Sequence, residues 1–108
     1  LAIRDFDRAI SIDEDLSEGY FRRGFSKYFI KDFRGAIENF ETSREKEDKI
    51  IEDDPKFERN PGIFDGLGCC YHSLEKYDDA FENFDKAIEG APENTDFLMH
   101  RANCHYSQ

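Results

Sequence analysis

The sequence predicts an all-α fold, an α-solenoid of stacked antiparallel helix pairs, and three observations carry that expectation. The first is self-similarity: Ala2-Ile3-Arg4-Asp5-Phe6 returns as Ala36-Ile37-Glu38-Asn39-Phe40 and again as Ala80-Phe81-Glu82-Asn83-Phe84. The spacings are 36 − 2 = 34 and 80 − 36 = 44 residues, the second being the first plus ten. A period of this size marks a supersecondary unit that buries its faces only against its neighbours. The second is a companion pattern, Tyr20-x-x-Arg23-Gly24, then Phe64-x-x-Leu67-Gly68, then Leu98-x-x-Arg101-Ala102, spaced again by 44 and 34 residues. The third is periodicity within the copies: Phe33, Ala36, Ile37 and Phe40 share one helix face, because residues three and four apart are neighbours on a helix.

These patterns place helices at about 1–14, 17–30, 33–53, 61–74, 77–90 and 95–107. Gly24, Gly68, Ala36 and Ala80 are small enough to let paired helices approach closely, and Phe6, Phe40 and Phe84 fill the space between pairs. Asn60 can cap the fourth helix with Pro61 in its first turn. Gly90 and Pro92 close the fifth. The organisation is then residues 1–14 as the second helix of a truncated repeat and 17–60 as a repeat with an extended second helix. Residues 61–94 form a regular repeat, and 95–108 the first helix of another. The sequence opens at Leu1 in mid-pattern and is read as a segment of a longer chain.

The ten additional residues fall between Ser43 and Pro61. No helix breaker occurs from Arg44 to Asp54, so the third helix should run about two turns past its usual length, to Asp53, with a loop through Pro55 to Asn60. Two readings are open for this extension, a solvated helix end or a projecting contact element; Ile50, Ile51 and Phe57 favour the second, and folding back on the neighbouring helix would account for them equally.

Composition narrows the function. The 25 acidic and 15 basic residues give a net charge of −10, which argues against nucleic-acid binding, where cations must neutralise phosphates. Eleven Phe residues are too many for a disordered acidic tail. No apolar run approaches the roughly 18 residues of a membrane span, so membrane insertion is not expected. Three cysteines, Cys69, Cys70 and Cys104, are odd in number, and two are adjacent, so no disulfide framework is implied. A reducing compartment, the cytoplasm, is the expected home.

The repeated residues resemble the tetratricopeptide repeat family, whose pattern is W-x-x-L-G-x-x-Y, then A-x-x-x-F, a further Ala and a closing Pro. The copy from Phe64 matches through Leu67, Gly68, Tyr71, Tyr77, Ala80, Phe84, Ala87 and Pro92. The copy before it matches at Tyr20, Gly24, Phe33, Ala36 and Phe40 and departs at Arg23, Lys27 and Ser43, where Leu, Tyr and Ala are usual. The first copy contributes only Ala2, Phe6 and Ala9. The resemblance covers almost the whole chain and implies a right-handed superhelix that binds or spaces other proteins. It also implies flanking repeats as neighbours within the parent chain. Arg23 occupies a slot that faces the preceding second helix, so an ion pair with Asp5 is expected.

The resemblance further implies an inner, concave face of Phe21, Arg22, Phe25, Tyr28, Asp65, Cys69, His72, Met99, His100 and Asn103. Phe21, Phe25 and Tyr28 are either packed against preceding repeats or an apolar strip for a partner helix or extended peptide. Some tetratricopeptide domains clamp the terminal carboxylate of heat-shock proteins with Lys, Asn and Arg. The matching slots here hold Phe21, Phe25, Gly66, Asp96 and His100, without a fixed positive charge, so a clamp of that type is not expected in this segment. Cys69, His72, His100 and Cys104 are residue types that hold zinc. Their offsets from Gly68 and Ala102 place Cys69 and Cys104 on different sides, so no metal or cofactor is assigned. No nucleophile–base pairing or phosphate loop is visible, so the chain is read as non-catalytic. The leading expectation is an interaction scaffold within a larger assembly. The alternatives are a peptide-capturing co-chaperone adaptor with its ligand site in other repeats, and a ciliary or cytoskeletal component.

Overall fold

The computed structural model describes residues 16–108, and among them all regular structure is helical. The described residues fall into two compact units, one ending at Arg59 and one spanning Asn60–Gln108. The expectations that fall on residues 1–14, including Ala2, Phe6, Ala9 and the Arg23–Asp5 ion pair, lie outside the described residues.

In the first unit α1 (Ser17–Phe29) and α2 (Phe33–Asp53) form one hairpin. Contacts run in opposite senses along the two helices: Ser17 meets Ser43, Gly24 faces Phe40, and Tyr28 meets Phe33. That ordering makes the pair antiparallel. A Cβ on Gly24 would come within 2.7 Å of the Phe40 ring, so the fully buried Phe40 occupies space that any other residue at position 24 would take. Ser43, a departure from the usual Ala, is also fully buried. Its hydroxyl donates to the Ser17 carbonyl at 2.8 Å, and the Ser17 hydroxyl donates to the Ser43 carbonyl at 3.0 Å. The two serines thus satisfy each other where the small apolar residue would only fill space.

The second unit repeats the plan with α3 (Gly62–Ser73) and α4 (Tyr77–Gly90), then adds α5 (Thr95–Ser107). Pro61 lies against Gly90, Phe64 lies under the Lys86 ammonium, Gly68 faces Phe84 and His72 meets Tyr77. The helix α5 runs antiparallel to α4, with Arg101 paired to Asp85 at 3.0 Å and His105 beside Phe81. Ile63, Leu67, Cys70, Ala80, Phe84, Ala87, Phe97 and Cys104 form its buried apolar set.

Both hairpin turns end in the same device. The amides of Lys31 and Asp32 bond to the Tyr28 and Lys27 carbonyls, and those of Glu75 and Lys76 to the His72 and Tyr71 carbonyls. This is a Schellman closure, with Lys31 and Glu75 in the left-handed region at φ 66° and 61°. Asp32 then caps α2 by accepting from the Gly35 amide, and Asn94 caps α5 by accepting from Phe97.

The boundaries follow the sequence reading closely. The long helix α2 reaches Asp53 and, at 21 residues, is the longest described. The helix α3 begins at Gly62, one residue later than expected. Pro61 holds the N-cap position, and Asn60 accepts from the Gly62 amide. Gly90 ends α4, but not through a left-handed cap, since no glycine has positive φ. Its role is close approach: a Cβ there would meet Pro61 at 2.9 Å.

Candidate functional site

The α2 extension is held by a charge network. Arg44 bonds Glu41 at 2.8 Å and Asp48 at 3.3 Å. Beyond the helix, Asp54 turns the chain by accepting from the Lys56 amide. Arg59 then returns to the helix, pairing with Asp48 and lying 3.7 Å from Glu47. Glu47 is only 3% exposed, so a cation beside it offsets the cost of burying its charge. Ile50, Ile51 and Phe57 are half-buried.

The residues expected on the inner face separate by unit. On α1, Phe21 and Phe25 meet edge to face at 5.1 Å, and both rings contact Phe40, at 6.0 and 5.0 Å. Tyr28 packs on Phe29 and Phe33. The aromatic strip is therefore bonded largely into its own hairpin, and the ring left in solvent is Phe29, 75% exposed and outside the expected set. Arg22 is paired to Glu18 one turn earlier.

In the second unit α3 contributes Asp65, Cys69 and His72, and α5 contributes Met99, His100 and Asn103. Asp65 corrects the expectation of a displayed residue: it is 4% exposed. Its two carboxylate oxygens lie 2.9 and 3.0 Å from His100 Nδ1. Burial pushes the Asp65 carboxyl above its usual range, the His100 hydrogen bond opposes the rise, and Asp96 adds to it. Cys69 sits one helical turn beyond Asp65, and burial together with the Asp65 charge pushes its thiol up. One oxygen of Asp65, Cys69 Sγ and one ring nitrogen of His100 lie within 4.8 Å of one another.

That grouping replaces the one drawn from sequence. Cys69 packs against the cluster that contains Cys104, so the two do not face different sides. His72 turns instead to Tyr77. The expectation considered only His and Cys, and so missed Asp65. The available signal was the register, since one period from Asp65 lands on Met99, the neighbour of His100. The same limit hid the Ser17–Ser43 pair and the return of Arg59.

Met99, Asn103 and Tyr106 are exposed on α5, Met99 by 53% and Tyr106 by 84%. Beside them a groove of about 440 Å³ runs between α4 and α5, lined by Phe81, Leu98, Arg101, Ala102, His105 and Tyr106. Cys104 is fully buried against Ala80 and Phe84.

The helix pair α3–α4, with the turn that leads into α5, coincides with residues 63–94, which match the family model described as tetratricopeptide repeat. The chain carries a tetratricopeptide repeat. Tetratricopeptide repeats are non-catalytic units that mediate contacts between proteins. The matched segment holds the Gly68–Phe84 contact together with Asp65 and Cys69. No helix among the described residues is long and apolar enough to cross a membrane.

Proposed function

We propose that this chain is a non-catalytic scaffold that binds or spaces partner proteins within a larger assembly. The 60–108 unit would take a partner helix or extended peptide along α5. The observation that carries the reading is the exposed row on α5. Leu98, Met99 and Tyr106 remain in solvent after Phe97 and Cys104 have been buried, and apolar side chains at helical spacing are anchors for such ligands. Phe29 and Ile30 at the end of α1, and the half-buried Ile50, Ile51 and Phe57, offer further apolar contacts in the first unit.

The chemistry around His100 speaks against a ligand carboxylate. Asp96 is exposed on the same helix, and Asp65 lies beneath the imidazole. A chain terminus would meet negative charge there, which supports the scaffold reading over a carboxylate-clamping co-chaperone. A cytoplasmic setting fits three free thiols.

A photo-crosslinking residue at position 99 of the full chain, expressed in cells, tests the reading. A discrete protein adduct is expected, and it should disappear when Leu98→Asp and Tyr106→Asp are added without loss of helicity. Adducts that persist in that variant, or none from positions 99 and 103, would overturn it. Recovery of chaperone tails at position 99 would favour the adaptor instead.

A further inference from the structure

The geometry points to a zinc-type divalent metal site formed by Asp65 and Cys69 of α3 and His100 of α5. This goes beyond the scaffold reading and does not depend on it. Asp65 and Cys69 are four residues apart and therefore project from one helix face. His100 reaches that face from the neighbouring helix, close enough to touch both carboxylate oxygens. An oxygen, a nitrogen and a sulfur are thus presented from two rigid helices rather than from loops.

The donor set suits the ion in charge and in kind. A carboxylate, a thiolate and a neutral imidazole sum to two negative charges, the complement of a divalent cation in a buried place. Mixed imidazole, thiolate and carboxylate coordination is the range that zinc accepts, with three protein ligands leaving one position open. At zinc–ligand distances of about 2.0–2.3 Å, tetrahedral ligand atoms stand roughly 3.5 Å apart. The Asp65–His100 pair is already inside that separation. With all three atoms within 4.8 Å, closure asks for a shift of about 1 Å, within reach of a rotation at Cys69. The fourth position is left to water.

Binding has a definite proton balance. The Cys69 thiol loses its proton to solvent as sulfur takes the metal. Where Nδ1 carries the imidazole proton toward Asp65, that proton passes to Nε2 by exchange with water, so that a neutral imidazole presents Nδ1. With His100 neutral and Asp65 ionised, one proton is released for each metal bound.

Cobalt(II) is the probe, added to the full chain under a non-chelating phosphine reductant. One equivalent should produce the strong visible bands of four-coordinate cobalt and a thiolate-to-cobalt charge-transfer band. Cys69→Ser should abolish the charge-transfer band. Asp65→Asn and His100→Gln should each weaken binding by at least tenfold, the lower bound set by losses at mere supporting groups, and Cys104→Ala should leave the spectrum unchanged. Circular dichroism identifies variants that retain their helices, and the two substitutions on different helices guard against a single failure to fold. No charge-transfer band in the parent chain, or a band that survives Cys69→Ser and vanishes in Cys104→Ala, would overturn the site.

Discussion

Gly68 shows how much a single side chain decides. The absent Cβ would sit 2.6 Å from the Phe84 ring, well inside van der Waals contact, and both residues lie in the buried core of their hairpin. Gly68→Ala should therefore destabilise the 60–108 unit by about 1–3 kcal/mol, the usual cost of overpacking, read as a lowered urea midpoint. Cys70 provides a pH signature. Burial pushes its thiol from 9.0 up to about 12, so the folded state favours the protonated form. The associated stability is complete below pH 9.0 and is lost as the pH rises through about 12. Unfolding curves of Cys70→Ala should lose less stability across that window than the parent chain. The glycine slots were legible because each depends on one repeat register. The Asp65–His100 pair was not, because it needs the register of two helices together with the rotation of each.

Among the elements, the two hairpin turns are the most alike and yet neither uses the residue best suited to it. Lys31 and Glu75 adopt left-handed backbone at φ 66° and 61°, which costs an L-residue roughly 1–2 kcal/mol. Glycine avoids that cost but loses more freedom on folding, by about 0.5–1 kcal/mol. The balance favours Glu75→Gly by about 0.5–1 kcal/mol, to be seen as a small rise in the thermal midpoint. The start of α5 at Thr95 falls where the helical pattern placed it, and there Asn94 caps the helix. The closing geometry at Gly90 was misassigned because glycine serves both left-handed caps and close contacts, and sequence does not distinguish them. The extent of α2 was readable because nothing between Arg44 and Asp54 interrupts a helix. The course of the chain after it was not, since it depends on where Arg59 finds its carboxylates.

At the scale of the whole molecule, a net charge of −10 spread over 108 residues sets a background of self-repulsion. The described ion pairs Arg22–Glu18, Lys86–Glu82 and Arg101–Asp85 are exposed and individually weak. Screening should therefore help more than it harms. Raising salt from about 0.01 M to 0.15 M shortens the Debye length from about 30 to 8 Å, and the thermal midpoint should rise across that range. A fall would mean that the ion pairs outweigh the repulsion.

The anchoring of Arg59 to Glu47 and Asp48 has a topological effect. It returns the chain to α2 within six residues of Asp53, so only the short span 54–58 lies between the helix end and the Arg59 anchor. Closing so short a loop is entropically cheap, and lengthening it adds only about 0.6 kcal/mol for each doubling. The ten additional residues thus need not loosen the hairpin that carries them, and 54–58 becomes a natural place to graft a tag. Limited proteolysis should nick the native chain first in this span. In Arg59→Ala the susceptible stretch should widen toward residue 60, because the arginine that ends the loop is gone.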